Sequence, residues 1–144
     1  MNITVISVGK IKEKYFTAAI DEYSKRLSRF AKLNIIEVAD EKIPDNASEK
    51  EMEQIKEKEG NKILAKLPQN SFVVTLCIEG KEHSSEELAK KIADISMTSS
   101  HITFIIGGSL GLSNTVKSKS ALRLSFGKMT LPHQLMRVVL LEQI

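Results

Sequence analysis

The sequence predicts a single α/β domain built on a parallel-rich sheet with helices on both faces. Short runs of β-branched and apolar residues alternate with longer segments whose apolar residues recur every three or four positions. The helical segments are long enough to connect parallel strands as crossovers. Two strand-like runs, at residues 72–78 and 102–106, are almost wholly apolar, as expected for strands covered on both faces. No repeat, low-complexity segment or linker divides residues 1–144, so one domain is expected.

The first half of the chain contains two predicted strands and two predicted helices. Residues 3–8 and 33–38 are β-rich runs bounded by turn residues. Between them, a stripe at helical spacing predicts an amphipathic helix: Phe16, Ala19, Ile20, Tyr23, Leu27 and Phe30. Ser48, with Glu51 three positions later, forms a capping box that opens the next helix. Gly60 in that helix costs about 1 kcal/mol relative to alanine, so we expect a bend or break there.

The second half repeats the alternation of strand and helix. Residues 72–78 are expected to form a central strand, after which residues 79–81 (Glu-Gly-Lys) turn the chain. Ser84 and Glu87 form a second capping box, and an apolar stripe marks the helix that follows: Leu88, Ile92 and Ile95.

The last part of the chain holds two further strands and two further helices. The buried strand at residues 102–106 precedes a short helix that runs from Ser113, its N-cap, to about residue 121. A final strand follows at residues 122–126. Pro132 then marks a helix start, because proline has no N–H to donate and its φ is already helical. That last helix is apolar on most sides, so we expect it to be buried.

Three loops are positioned to bind a ligand, because ligands of parallel α/β sheets bind beyond the carboxyl ends of the strands. They follow Ile78, Ile106 and Phe126. The loop of residues 107–111 has the spacing G-G-x-x-G and follows the fourth strand, which argues against a Rossmann dinucleotide site. Its glycines suit close backbone approach to a flat ligand, although a tight turn alone would also need them.

Composition narrows the classes of function. The one cysteine, Cys77, excludes an internal disulfide and a multi-cysteine zinc site, and its apolar surroundings favour a buried role over a nucleophile. His83, His101 and His133 have no neighbours at metal-ligand spacing, so no metal is expected. A net charge of +3 permits a nucleic-acid partner without requiring one. The apolar runs are too short to cross a bilayer, and we expect a cytoplasmic protein with no membrane partner.

Two polar residues stand out in the last helix. His133 and Arg137 lie four residues apart and therefore share one helix face. An unpaired guanidinium is costly to bury, so Arg137 needs a substrate or a carboxylate such as Glu142, unless it lies on the exposed face. His133 taken alone suits a capping or surface role as well as a catalytic one.

Several sequence strings carry a family resemblance. They are K-E-G-x-x-I-L-A-K, V-T-L-x-I-E-G-K, F-I-I-G-G-S-L-G-L and L-S-F-x-K-M-T-L-P-H-Q-L-M-R-V-V-L-x-E-Q. With these strings, the chain resembles the small single-domain SPOUT methyltransferases of the RlmH (YbeA-like) family along its whole length. The resemblance implies a homodimer of α/β subunits with a C-terminal trefoil knot, which is a rare exception to the usual rules of chain topology.

The resemblance also implies the activity and its site. The expected reaction is S-adenosyl-methionine-dependent methylation of N3 of a pseudouridine in 23S ribosomal RNA of the assembled ribosome. By similarity, the pocket for the methyl donor is formed by Leu76, Gly107, Gly108, Phe126, Gly127, Lys128, Met129, Thr130 and Leu131. His133 and Arg137 are expected to handle the substrate, with His133 the weaker candidate for proton transfer. Basic residues in the first helix, and Lys10, Lys12 and Lys14, could contact RNA phosphates, although they equally suit a solvated face.

Two alternatives to this activity stay open at the level of sequence. One is a catalytically inactive RNA- or ribosome-binding assembly factor, and the other is a related methyltransferase that acts on transfer RNA. The intact glycine loop and the K-M-T-L-P-H segment favour an enzyme. Members of the family continue beyond E-Q and finish with a Tyr-His tail, whereas this sequence ends at Ile144. Without that tail, we expect donor binding to survive and RNA methylation to weaken.

Overall fold

Five parallel strands form one sheet in this computed structural model, which describes residues 1–144. The strands are β1 (Asn2–Val8), β2 (Lys32–Val38), β3 (Phe72–Glu82), β4 (His101–Ile106) and β5 (Leu122–Ser125). The helices are α1 (Lys14–Leu27), α2 (Glu49–Lys66), α3 (Ser85–Ser96), α4 (Asn114–Ser118) and α5 (His133–Gln143). All neighbouring strands pair in parallel, in the order β2-β1-β4-β3-β5. The predicted parallel α/β sheet is therefore confirmed, although β4 and not β3 is the central strand.

The helices cover both faces of the sheet, as predicted. Alternate residues of β1 point to opposite sides: Ile3 and Val5 belong to one apolar core, and Ile6 and Val8 to the other. The first core also contains residues of α1, α3 and α5, and the second contains residues of α2 and α4. Phe104 in β4 is 1% exposed. Burying such a side chain contributes roughly 1.5–3 kcal/mol, so the strand that leads to the glycine loop is firmly held.

The capping boxes are present where the sequence predicts them. The Ser48 hydroxyl accepts a hydrogen bond from the Glu51 N–H, and the Glu51 carboxylate accepts one from the Ser48 N–H. Ser84 and Glu87 make the same reciprocal pair at the start of α3. These bonds satisfy N–H groups that have no partner within the helix, and so they fix where each helix begins.

Gly60 does not break α2, which runs continuously from Glu49–Lys66. The reason for glycine is contact with α4: a Cβ at Gly60 would lie 2.6 Å from Ser113 Oγ and 3.0 Å from Val116 Cγ2. The low helix propensity of glycine is therefore offset by close packing of two helices.

Strand β3 continues through the predicted turn at residues 79–81. Both Leu76 and Lys81 are in register with Leu124 of β5, so the intervening residues bulge out of the ladder. A Cβ at Gly80 would lie 2.8 Å from the backbone of Arg123. The glycine marks a close approach to β5. In the sequence alone, this irregularity of the strand resembles a turn.

Three smaller differences separate prediction and structure. Helix α1 ends at Leu27, and Phe30, which the apolar stripe assigned to its buried face, is 81% exposed. The turn formed when the N–H groups of Phe30 and Ala31 both donate to the Leu27 carbonyl rotates that stripe away from the core. Helix α4 ends at Ser118, short of residue 121, and β5 ends at Ser125.

None of the helices combines the length and apolar character needed to cross a membrane. The trefoil knot stays a prediction from the resemblance.

Candidate active site

A cavity of about 720 Å³ opens at the carboxyl ends of β3, β4 and β5. Its walls come from the three loops that the sequence singles out and from the start of α5. Eight of the nine predicted donor-pocket residues line it: Leu76, Gly107, Gly108, Phe126, Gly127, Met129, Thr130 and Leu131. Lys128 is exposed and does not belong to the lining. The volume falls in the range of about 300–1,000 Å³ that is typical of small-molecule sites.

Backbone groups form the part of the cavity that follows β4. A Cβ at Gly107 would lie 2.8 Å from the carbonyl carbon of Gly111, so a larger residue would push the two sides of this loop apart. The Gly111 N–H donates to the Gly108 carbonyl oxygen at 3.0 Å, and Gly111 has a φ of +86°. The close approach at Gly107 and the positive φ at Gly111 both require glycine, which leaves peptide groups facing the cavity.

One side-chain hydroxyl joins two walls of the cavity. Ser125 Oγ lies 3.0 Å from the Ile78 carbonyl oxygen and 3.1 Å from that of Gly127, and it accepts a hydrogen bond from the Gly127 N–H at 3.1 Å. Ser125 is buried at the end of β5, and Ile78 belongs to the bulged part of β3. The hydroxyl therefore fixes the distance between the exits of β3 and β5, at the point where Gly127 adopts a φ of +121°.

His133 lines the cavity at the first residue of α5. A Cβ at Gly9 would lie 3.4 Å from His133 Cε1 and 4.0 Å from Asp40 Cγ, so imidazole and carboxyl group flank the same glycine. Burial lowers the pKa of His133 below its ordinary value, the positive charge of Arg137 lowers it further, and Asp40 opposes both. His133 Nδ1 is buried without a hydrogen-bond partner. The lowered pKa favours the neutral form of the imidazole.

Arg137 lies one turn further along α5, where it is only 2% exposed. Its Nη1 donates to Glu37 Oε2 at 2.6 Å. Its Nη2 donates to the carbonyl oxygens of Val8 and Gly9, at 3.1 Å and 2.6 Å. Glu37 is thus the carboxylate partner, in place of Glu142, which is exposed and accepts from the Gln143 amide. The guanidinium therefore connects α5 to the ends of β1 and β2.

The far wall of the cavity carries charged side chains. Lys117 of α4 forms an ion pair with Glu79 in the bulge of β3, and Lys56 of α2 lines the same wall. The hydrogen bond from Lys117 holds the pKa of Glu79 below its usual range.

Cys77 also lines the cavity, where it is partly buried and not fully buried as the sequence suggests. Burial raises the pKa of its thiol, so the unreactive protonated form predominates at neutral pH. His83 and His101 lie elsewhere: His83 contacts the Lys81 carbonyl oxygen, and His101 Nε2 lies 2.7 Å from Thr4 Oγ1 at the opposite end of the sheet. No group of three or more His, Cys, Asp or Glu side chains is arranged to hold a metal ion.

Sequence reasoning missed several residues of the site. Glu37 and Asp40 flank the end of β2, a position at which a polar side chain beyond a strand end is a usable signal. Ser125 carries no such signal, because its role depends on the bulge in β3. Glu59, which is buried behind the glycine loop, is one acid among many in α2, and nothing in its spacing separates it from its exposed neighbours.

Comparison with known proteins identifies the family. The family model described as "Predicted SPOUT methyltransferase" matches residues 1–144. The chain is 63% identical to a protein of Clostridium botulinum and 61% identical to one of Clostridium novyi, both named "Ribosomal RNA large subunit methyltransferase H". Each alignment covers 100% of this chain and 91% of the relative.

A solved structure supports the fold. It is titled as a probable methylase family protein from Haemophilus influenzae Rd KW20 and superposes with a TM-score of 0.55 at 12% sequence identity. The match covers 99% of this chain, which spans 64% of that protein's length. A match at 12% sequence identity supports the fold alone. The family is shown by the full-length match to the family model and by the relatives above 60% identity. The chain belongs to the SPOUT methyltransferase family.

Proposed function

We propose that this methyltransferase uses S-adenosyl-methionine to methylate N3 of a pseudouridine in 23S ribosomal RNA of the assembled ribosome. The names of the relatives supply the large-subunit ribosomal RNA as the class of substrate. The observation that carries the proposal is the convergence of three strand-end loops on one cavity, with His133 at its side. The nucleotide and the position on its ring come from the family resemblance.

The cavity suits the proposed donor. Leu76, Leu124 and Phe126 offer apolar surface for a flat adenine ring, and the glycine loop offers peptide N–H and C=O groups for its edges and for the ribose. The charges at the far wall, on Lys56, Glu79 and Lys117, suit the ammonium and carboxylate groups of an amino-acid end. Leu76, Phe126 and the two leading glycines are therefore proposed as donor-binding residues, together with Gly127, Met129, Thr130 and Leu131. Lys128 is proposed to contact RNA or solvent instead.

The chain has two tasks in such a reaction: orientation and proton removal. When bound, the donor supplies an electrophilic methyl group on a sulfonium centre. The cavity holds the donor in place, and α5 aligns the base for in-line displacement, in which an N–C bond forms as the C–S bond breaks. The N3 proton must leave, and the neutral His133 imidazole is the proposed acceptor within the chain.

Arg137 is proposed to assist the substrate through the residues it holds. Its three hydrogen bonds to Glu37, Val8 and Gly9 fix the loop after β1 against α5. Lys10, Lys12 and Lys14 follow Gly9 directly and are exposed. Contacts from these lysines to RNA phosphates would make binding fall steeply with salt concentration. The guanidinium thereby orients a basic loop beside the proposed base-binding site.

A homodimer is part of the proposal. Helix α5 packs on α1 and buries Leu140 and Leu141, yet four further apolar side chains of the helix stay partly exposed: Leu135, Met136, Val138 and Val139. A second copy of the chain would cover them. Light scattering coupled to gel filtration would detect the dimer, and a monomer at micromolar concentration would remove this part of the proposal.

The direct test measures methyl transfer to defined substrates. Purified protein and labelled donor are incubated with assembled ribosomes, with deproteinised 23S RNA and with transfer RNA, and the modified nucleotide is located by mass spectrometry. We expect one methylated pseudouridine, at N3, in the ribosome sample. Labelling of transfer RNA alone would assign a different substrate. Failure to bind the donor at millimolar concentration in calorimetry would overturn the activity and leave a binding protein.

A further inference from the structure

Glu59 is a buried acid that the proposed reaction does not use. It is 6% exposed, although it belongs to α2, whose other carboxylates are all at least partly exposed. Burial raises the pKa of Glu59, and the neighbouring carboxyl groups of Asp40 and Glu41 raise it further, against the effect of Lys62 and of the Glu41 N–H. Burying a carboxyl group without need is costly, so its position calls for a structural or functional reason.

Its two oxygens reach two different loops. Glu59 Oε2 accepts a hydrogen bond from the Glu41 N–H at 3.0 Å. Oε1 faces the glycine loop, where a Cβ at Gly108 would lie 3.4 Å from it and 3.1 Å from Val8 Cγ1. Gly108 lines the cavity and Glu59 does not, so the carboxyl group lies behind the loop. A Cβ at Gly108 would be tightest against Val8 Cγ1, and it would still make an ordinary van der Waals contact with Glu59 Oε1.

The loop at residues 39–41 is held by α2 at three points. Besides the bond to Glu59, Lys62 Nζ donates to the Ala39 carbonyl oxygen at 3.1 Å and pairs with Glu41 Oε1 at 2.9 Å. Asp40 lies between these anchored residues, with its carboxyl group beside Gly9 and near His133. The anchors therefore decide where the one carboxylate that raises the pKa of His133 is placed.

We propose that Glu59 is a positioning residue that holds the glycine loop and the segment at residues 39–41 in fixed relation, and so keeps Asp40 beside His133. The part of this proposal that concerns the donor rests on the proposed function. Glu59 contacts neither donor nor base. One of its oxygens lies behind the glycine loop, and the other accepts a hydrogen bond from the Glu41 N–H in the segment that carries Asp40.

Three variants separate this role from simple stability. Glu59→Gln keeps the size and the accepting oxygen and cannot ionise, whereas Glu59→Leu keeps the bulk and loses the acceptor. Glu49→Leu makes the same change at an exposed site on the same helix and is the matched control. Thermal unfolding of each variant shows that it is folded at the assay temperature.

The first readout is the titration of His133, followed by NMR of its ring C–H and assigned with His133→Gln. The groups that face the imidazole are Asp40 and Arg137. We expect Glu59→Leu to lower the pKa of His133, as Asp40→Asn should, because the carboxylate is no longer held in place. Glu59→Gln and Glu49→Leu should leave it where it is. Equal shifts in the glutamine and leucine variants would mean that charge alone matters, and no shift in either would overturn the proposal.

The second readout is donor affinity by calorimetry. Glu59→Leu should weaken binding at least tenfold, and Glu59→Gln should restore it to within threefold of the unmodified protein. If Glu59→Leu does not fold, hydrogen exchange in the unmodified protein tests whether the Glu41 N–H is held by Glu59. The Glu41 amide should then exchange slowly, and fast exchange would overturn the proposal. If the unmodified protein binds no donor, the proposed function fails, while the His133 titration and the Glu41 exchange still test the role of Glu59.

Discussion

The carboxyl ends of the five strands form two regions that differ in the residues that build them. At the end proposed to bind the methyl donor, called the donor end and formed by the loops after β3, β4 and β5, the cavity is lined mainly by glycines, peptide groups and apolar side chains, with Lys56, Glu79 and Lys117 on its far wall. At the charged end, beyond β1 and β2, the structure depends on Glu37, Asp40, Glu59, His133 and Arg137. Helix α5 and the glycine loop border both ends.

The two ends are sensitive to different kinds of substitution. The donor end depends on the absence of side chains, so it tolerates no added carbon at Gly107. The charged end depends on the hydrogen bonds of two buried side chains, Arg137 and Glu59, and losing either of them leaves its partners without those bonds. We therefore expect substitutions at the charged end to act first on the stability of the fold. Substitutions at the donor end should act first on ligand affinity.

The largest effect is expected from Arg137→Leu. This change removes the donors to Glu37, Val8 and Gly9 and should lower the free energy of unfolding by about 2–4 kcal/mol, measured by urea denaturation. Arg26→Ala, which breaks the exposed pair with Glu22, is the control and should cost less than about 1 kcal/mol. Equal losses in both variants would abolish the distinction between the two ends.

Gly107→Ala tests the donor end. The new Cβ would contact the Gly111 carbonyl group, which is backbone and cannot rotate away, so the loop must shift. We expect donor affinity in calorimetry to fall at least tenfold, which is about 1.4 kcal/mol, with a smaller change in stability. Ser100→Ala, at an exposed position outside the cavity, should bind normally. Unchanged affinity of the Gly107→Ala protein would show that this loop does not contact the donor.

Gly60→Ala tests the joint between α2 and α4, beside Glu59. Helix propensity alone predicts a gain of about 1 kcal/mol, but the Cβ would overlap Ser113 Oγ. Overpacking costs typically about 1–3 kcal/mol, so we expect a net loss of stability of about 1 kcal/mol. Ala65→Gly, at an exposed position in the same helix, should lose about 1 kcal/mol through propensity only. A Gly60→Ala protein more stable than the parent would contradict the packing argument.

The smallest effect concerns pH. Because the pKa of folded His133 is lowered below its ordinary value of 6.5, the unfolded chain binds a proton more readily near and below that pH. The contribution of His133 to stability is therefore complete above about pH 6.5 and declines as the pH falls toward the folded value. The loss should stay below about 1 kcal/mol, since the ring is only partly buried. Comparing unfolding of His133→Gln and the parent between pH 5 and 8 measures it, and parallel curves would refute the lowered pKa.

Sequence reasoning reached the donor end and missed most of the charged end. The glycine loop and the exits of β3 and β5 are local in the chain, and the rule that ligands bind beyond strand ends places them together. Arg137 was singled out as needing a partner, but Glu37 is 100 residues away in the chain and no periodicity connects them. The extension of β3 past Gly80 and the continuity of α2 through Gly60 likewise depend on contacts with β5 and α4. Both positions are recognisable as glycines in the sequence, but the reason that each position needs glycine is tertiary packing.

The exposed side chains of β2 have a consequence for how copies of the chain avoid one another. As an outer strand of the sheet, β2 presents unpaired backbone groups to which a strand of another molecule could add. Lys32 and Glu37 are exposed on this strand, and charged side chains on an edge discourage such growth. Glu37 also accepts the hydrogen bond from Arg137. Replacing this one residue would therefore weaken the site and remove a safeguard against aggregation at the same time.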